Sequence, residues 1–239
     1  MDKATVLTQM QQAWSTCQGC LLCNERTNVV FGYGNPDARF MVIGEAPGMN
    51  EDEMGVPFVG HAGKLLDAFF ATVSIHPELV EMSKTEEFDY DRIREILLTD
   101  IFYTNVVCCR PPENRDPTTK EIEVCRPRLM ETIYTVDPIL IIATGRIPCE
   151  SLLQKRKVSI TQVHGEVFDI TIEGRLIEIH YPMMAVLHPS YLMRINDFNQ
   201  SGGMGDKTYQ NMLLAMHLVD WFDHLHRDRD LPTRKKIRR

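Results

Sequence analysis

The chain reads as an α/β layer fold built on a mostly parallel sheet. Three observations predict it. Short, almost wholly apolar strands recur along the sequence, amphipathic helical stretches separate them, and no repeat or low-complexity linker divides the 239 residues. A single domain over 1–226 is therefore expected, followed by a basic, flexible tail over 227–239.

Val6, Leu7, Met10, Ala13 and Trp14 recur at helical spacing, and Gly19 ends that helix. Arg39–Gly44 is a short strand running into a Pro/Gly loop, Glu45–Gly60. Ala62, Leu65, Leu66, Phe69, Phe70 and Val73 mark one face of the next helix. The stretch Ile75–Asp100 is charged and irregular, and reads as a surface insertion with a short helix near Tyr90–Leu98. Ile101–Val107 is a second strand, leading into the Pro-rich loop Arg110–Pro117. Thr118 and Glu121 form a capping-box pattern that opens a helix bent at Pro127. Pro138–Thr144 is a third strand, apolar throughout as buried parallel strands are, with a helix from about Arg146. Glu166–Ile170 and Leu176–His180 flank a Glu173-Gly174 turn and predict a hairpin. Met183–Leu187 is a fourth core strand, and Tyr209–Leu225 a long amphipathic helix. In such folds ligands bind where the loops at the carboxyl ends of the strands meet. Three of these loops are chemically unusual: Glu45–Gly60, Cys108–Pro117 and His188–Arg194.

Composition narrows the classes. The formal net charge of −7 argues against a protein coated in positive charge, so a nucleic-acid partner would need a local basic face. No run of about 18 apolar residues predicts a membrane span. The N-terminus lacks the charged-then-apolar pattern of a secretion signal, and seven cysteines without one point to the reducing cytoplasm. Cys17 and Cys20 form a C-x2-C pair, whereas Cys109 and Cys125 stand 15 residues apart, too wide for a second zinc knuckle. Thiolates from separated segments suit an iron–sulfur cluster. Buried cysteines acting as small hydrophobes are an equal reading at this point. Spacing leaves Cys23 and Cys108 open as ligands, and Cys149 reads as a core residue.

Met41–Gly63 (MVIGEAPGMNEDEMGVPFVGHAG), Tyr103–Pro117 (YTNVVCCRPPENRDP) and His188–Arg194 (HPSYLMR), with the early C-x2-C and Cys109/Cys125, resemble family 4 uracil-DNA glycosylases, the iron–sulfur branch of that superfamily. The likeness runs from about Thr16 to Arg194, its blocks in family order. It implies a three-layer α/β/α fold with a central, mostly parallel four-stranded sheet. It also implies a monomer that acts on uracil-containing DNA and holds a 4Fe-4S cluster on Cys17, Cys20, Cys109 and Cys125, leaving out Cys23 and Cys108.

The same resemblance gives residue roles. Phe58 matches the residue that stacks on the flipped base, Asn105 the one that pairs with the uracil edge, and His188 the donor to uracil O2. Ser190 is expected to hold a phosphate and Leu192 to wedge into the space the base leaves. Glu45 is expected to position water or stabilise the sugar cation, because Ala46 stands where faster superfamily members carry an Asp. Gly48 replaces a bulky residue that rejects thymine's methyl, and Glu51 is the candidate for that steric role; the run Glu51–Glu53 reads equally as a solvated acidic loop. Cys108 and His61 stand where the family carries basic residues, and Ile75–Asp100 and Asp197–Lys207 are longer than its norm. Arg110–Pro117 lacks the reactive His of uracil-trapping relatives, so ordinary turnover is expected. Competing expectations are a glycosylase for a 5-substituted uracil, a non-catalytic DNA-binding or replication-accessory protein on this scaffold, and a structural zinc protein.

Overall fold

A computed structural model describes residues 1–74, 76–82, 89–155, 157–173, 177–195, 201–228 and 235–237. Its strands are β1 (Tyr33–Gly34), β2 (Phe40–Gly44), β3 (Ile101–Asn105), β4 (Leu140–Thr144), β5 (Val167–Glu173), β6 (Ile177–Val186) and β7 (Lys235–Ile237). Its α-helices are α1 (Lys3–Ser15), α2 (Met49–Met54), α3 (His61–Val73), α4 (Pro77–Met82), α5 (Tyr90–Leu97), α6 (Thr119–Val136), α7 (Arg146–Leu153), α8 (Ile160–Val163), α9 (Pro189–Ile195) and α10 (Met204–Asp228). Among the described residues, no helix is long and apolar enough to cross a membrane.

The strands form one sheet in the order β1-β3-β2-β4-β6-β5, with β7 beside β6. Its centre, β3-β2-β4-β6, is parallel, as the sequence predicts. These are the four expected strands, and β1, β5 and β7 extend the sheet to seven with antiparallel pairing. Alternation along the central strands sends side chains to both faces. Met41, Ile43, Phe102, Ile141, Ala143 and Met183 share a core with residues of α1, α6 and α7. Phe40, Val42, Ile101, Tyr103, Leu140 and Ile142 share the opposite core with α3, α5 and α10. The result is three layers with helices on both sides of the sheet.

Several boundaries differ from expectation. The second hairpin strand and the fourth core strand are one strand, β6. Pro182 lies within it, opposite Asp169 of β5, and pairing with β4 begins only at Met183, so the missing proline N–H interrupts no parallel ladder. The predicted turn at Gly174 lies outside the described residues. The described part of Ile75–Asp100 is not a surface insertion: Leu79, Ile93, Ile96 and Leu97 are buried in the core that α3 faces. α6 opens on the predicted capping box and runs unbroken through Pro127. α10 begins at Met204, within the stretch expected as an insertion, and reaches Asp228, beyond the expected domain end. Lys235–Ile237 of the basic tail pairs with β6, whereas 229–234 and 238–239 are outside the described residues.

Candidate active site

The carboxyl ends of β2, β3 and β6 open onto one cavity of about 430 Å³. Glu45, Ala46, Gly48, Glu51, Phe58, Asn105, His188 and Ser190 line it, joined by Asn114, Arg115, Asp116 and Arg194. Phe58, Asn105 and His188, which come from three separate parts of the chain, therefore face a common space.

Asn105 ends β3 in register with Gly44 of β2 and is only 3% exposed. Its backbone carbonyl accepts from the fully buried Arg128, which also donates to Thr104 Oγ1 at 2.7 Å. Among the described residues, the Asn105 carboxamide makes no hydrogen bond within the protein. Gly44 makes this arrangement possible. A Cβ there would collide with Asn105 Oδ1 and stand 2.7 Å from Phe58 Cζ. Gly44→Ala should thus displace both side chains, lowering kcat/KM for base release about tenfold or more with the fold retained, since a misplaced pocket group costs rate steeply. Wild-type kinetics in that variant, alongside an unchanged melting curve, would contradict the close approach.

Phe58 is held with φ of +58°, an outlier for a bulky residue, and its ring is 7% exposed at the cavity wall. Glu51 caps α2 and ties two loops together. Its carboxylate accepts from Gly48 N at 3.1 Å and Gly60 N at 2.7 Å, occupying the space a side chain at Gly48 would take. Asp52 is not part of a solvated acidic loop. It is 3% exposed and accepts from Thr27 N at 3.0 and 2.9 Å and from Asn28 N at 3.2 Å, while Glu53 is exposed.

His188 is clamped through its own turn. Ser190 N–H donates to His188 Nδ1 at 3.2 Å, and the Ser190 hydroxyl lies 2.7 Å from the same nitrogen. A nitrogen that accepts from a backbone N–H carries no proton, so in the neutral ring the proton sits on Nε2. Burial first, then the Arg194 charge, pushes the ring's pKa down to about 4. The Ser190 hydroxyl is therefore engaged with the imidazole. Leu192 differs from its expected place: it is fully buried and cannot enter DNA as placed. The exposed apolar side chains of α9 are Met193 and Ile195.

Glu45 is raised to about 7, chiefly by burial and then by the charge of Asp116, with Arg146 opposing. Arg146 is held by Asp116 at 2.7 Å and by Glu150 at 2.9 Å. Sequence reasoning missed both of Glu45's charged neighbours, and nothing in the local pattern links Arg146 to Glu45. It also missed Asp67 and Arg128, for which a signal existed: each is a charged residue with apolar neighbours on the inward face of its helix.

The four cysteines expected as ligands sit away from this cavity. Cys17 and Cys20 follow α1, Cys109 follows β3, and Cys125 lies on α6. Burial raises the Cys20 and Cys109 thiols, Cys109 to about 11, and neighbouring thiols add to it: Cys125 and Cys17 for Cys20, Cys125 and Cys20 for Cys109. They are thus gathered within electrostatic reach of one another. Cys17 Sγ accepts from Gly19 N at 3.4 Å and Cys109 Sγ from Arg26 Nη1 at 3.3 Å, as donors to thiolate sulfur would. The buried Cys108 and Cys125 thiols act on each other, Cys108 being raised and Cys125 lowered. Among the described residues, no three Cys, His, Asp or Glu side chains stand at single-ion spacing. Four cysteines from three separated segments, with N–H groups donating to the sulfurs of Cys17 and Cys109, form a donor set that suits a sulfur-ligated cluster.

A parallel sheet with a deep cavity at its carboxyl edge, walled by an aromatic ring, an unengaged carboxamide and a neutral imidazole, defines an α/β protein built to enclose a flat ring with polar edges. The family model described as Uracil DNA glycosylase superfamily matches residues 31–210, and the chain belongs to that superfamily. It is 36% identical over 178 residues to a Type-4 uracil-DNA glycosylase of Thermotoga maritima, covering 74% of this chain and 78% of that protein. Proteins of the same description from Saccharolobus solfataricus (38%; 72% of this chain and 74% of that protein) and Archaeoglobus fulgidus (33%; 74% and 78%) are similarly related.

Proposed function

We propose that this protein is a uracil-DNA glycosylase of DNA repair, which receives uracil extruded from DNA and hydrolyses its N-glycosidic bond to leave an abasic site. The convergence of Phe58, Asn105 and His188 on one cavity carries the reading. Phe58 stacks on the everted base. Asn105 accepts from uracil N3–H and donates to O4, a pattern that cytosine inverts. As the glycosidic bond breaks, its electron pair goes to uracil, and the His188 Nε2–H donates to the charge gathering on O2. Glu45, as carboxylate, stabilises the sugar cation and orients the water whose oxygen bonds to the anomeric carbon. Its raised pKa suits it to take that water's proton. The Glu51 carboxylate, filling the room Gly48 leaves, stands against the methyl of thymine. Oligonucleotides bearing U, 5-hydroxymethyl-U or T test the reading: U is released and T is not. Equal release of U and T would defeat it.

Glu45 also makes a pH prediction with two parts. With its carboxylate as the active form, kcat/KM rises with pH through about 7, and Glu45→Gln flattens that limb. Stability moves the other way. A carboxyl raised from 4.5 to about 7 on folding gives stability that is full below 4.5 and lost as pH rises through 7. At pH 8 Glu45→Gln should therefore be more stable than wild type, by no more than about 3 kcal/mol, with the gap closing toward pH 4.5. Denaturant melts at both pH values would show it; a Gln variant less stable at pH 8 would contradict the burial penalty.

The same proposal places a 4Fe-4S cluster on Cys17, Cys20, Cys109 and Cys125. It would supply no chemistry to the cavity, serving instead as a staple between the segment after α1, the end of β3 and α6. Purified chain should be brown and contain iron and sulfide in equal amounts, and Cys125→Ser should lose both. Colourless, zinc-loaded protein would overturn this assignment while leaving the glycosylase reading to its own test.

A further inference from the structure

We infer that Arg94 of α5, acting with Asp67 and Tyr103, is a positioning residue for the reaction: it fixes the stacking wall of the cavity by holding the turn that carries Phe58. This rests on the reading of Phe58 as the platform for an extruded base.

Arg94 belongs to a segment whose sequence looks like solvated surface, yet it is 8% exposed. Its Nη1 donates to both Asp67 oxygens, at 3.0 and 2.7 Å. Its Nη2 donates at 2.9 Å to the carbonyl of Pro57, the residue before Phe58. The guanidinium carbon, Cζ, lies 4.0 Å from the centroid of the Tyr103 ring. Tyr103, whose hydroxyl donates to Asp67 at 2.6 Å, packs its ring against Phe58 with centroids 5.4 Å apart. Tyr90, from the same helix as Arg94, gives Asp67 another donor at 2.8 Å.

The cluster therefore grips Phe58 at two points, its preceding carbonyl and the side of its ring. A bulky residue in the left-handed region persists only where its surroundings over-determine it. Here Arg94 supplies the hydrogen bond at that turn, and Gly63 lets the Phe58 carbonyl lie against α3. A buried ion pair is a weak device for stability alone, since apolar residues of like volume serve as well. Its position directly behind the stacking ring gives it a use that packing would not.

The test is a double-mutant cycle on the full chain with a uracil oligonucleotide. Arg94→Lys keeps the positive charge beside Asp67, but one ammonium cannot serve Asp67, the Pro57 carbonyl and the Tyr103 face together. In the Phe58 background, Arg94→Lys should lower kcat/KM about tenfold and weaken inhibition by free uracil in parallel, within the range that loss of a base–aromatic stack produces. In a Phe58→Ala background the same change should cost less than about twofold, because the ring it positions is gone. Equal losses in both backgrounds, or a fall in melting temperature with uracil inhibition intact, would reduce Arg94 to a fold-stabilising role and overturn the inference. If Arg94→Lys does not fold, Tyr103→Phe in the same cycle carries the test through the Asp67 contact. A wild-type chain that releases no uracil sinks the functional reading and this inference with it; an active one with additive losses sinks the inference alone.

Discussion

His188→Ala should lower kcat for uracil release about a hundred- to thousandfold, because it removes a preorganised donor aimed at the departing base. KM should move by less than about threefold, since the donor's value appears as charge develops and not in the ground state. The direction of this effect depends on protonation. Burial and Arg194 hold the imidazole at about 4, so it is neutral wherever the enzyme is assayed near neutrality, and Ser190 leaves the proton on the nitrogen free to face the base. No His188 limb should therefore appear near 6.5 in the pH–rate profile; the limb near 7 belongs to Glu45 and survives in His188→Ala at reduced amplitude. Stability gives an independent check. A histidine depressed from 6.5 to about 4 on folding contributes stability that is present above 6.5 and lost as pH falls through 4. Wild type should lose up to about 3 kcal/mol relative to His188→Ala across that window. A rate limb near 6.5 that disappears with His188 would show a charged imidazole and reverse the argument.

What the sequence made legible follows a physical boundary. Phe58, Asn105 and His188 could be placed in one cavity because parallel strands carry their carboxyl-end loops to the same edge, whatever their separation along the chain. Their surroundings could not be placed that way. Glu45 owes its raised pKa to burial and to Asp116, seventy-one positions away (116 − 45), and that proximity arises from loop packing with no periodic signature. Leu192 failed for a related reason: on a short helix such as α9, motif position says nothing about which side meets the core, and Leu192 faces inward. Other misses were readable. Ile93, Ile96 and Leu97 repeat at helical spacing within the charged stretch, as a core-facing helix requires, and charge density masked the pattern. Asp67 stands among Leu66, Phe70 and Ala71 on the buried face of α3, where a lone carboxylate calls for a buried cation; Arg94 is that cation. The two strands expected over Leu176–His180 and Met183–Leu187 are one, and the expected division falls where pairing changes: β4 is met only from Met183, just after Pro182.

Asn105→Ala carries the larger consequence, because it tests recognition and catalysis in one position. A side-chain amide that is 3% exposed, lines the cavity and makes no hydrogen bond to the described protein keeps its donor and acceptor for a ligand's edge. Uracil supplies both missing partners. Removing the amide leaves uracil N3–H and O4 buried and unpaired, at roughly 1–3 kcal/mol each, so kcat/KM should fall by about a hundred- to ten-thousandfold. The ligand-free protein, by contrast, loses no hydrogen bond to the described residues, and the β3 terminus stays anchored because Arg128 holds the Asn105 backbone carbonyl and not its side chain. The melting temperature should accordingly hold or rise while activity vanishes, a separation that a purely structural asparagine could not produce. Preference for uracil over cytosine should shrink in whatever activity remains, as the group that distinguishes their edges is gone. Release of uracil by Asn105→Ala at a rate close to wild type would mean that the base is read elsewhere, and the cavity would lose its claim to be the site of recognition.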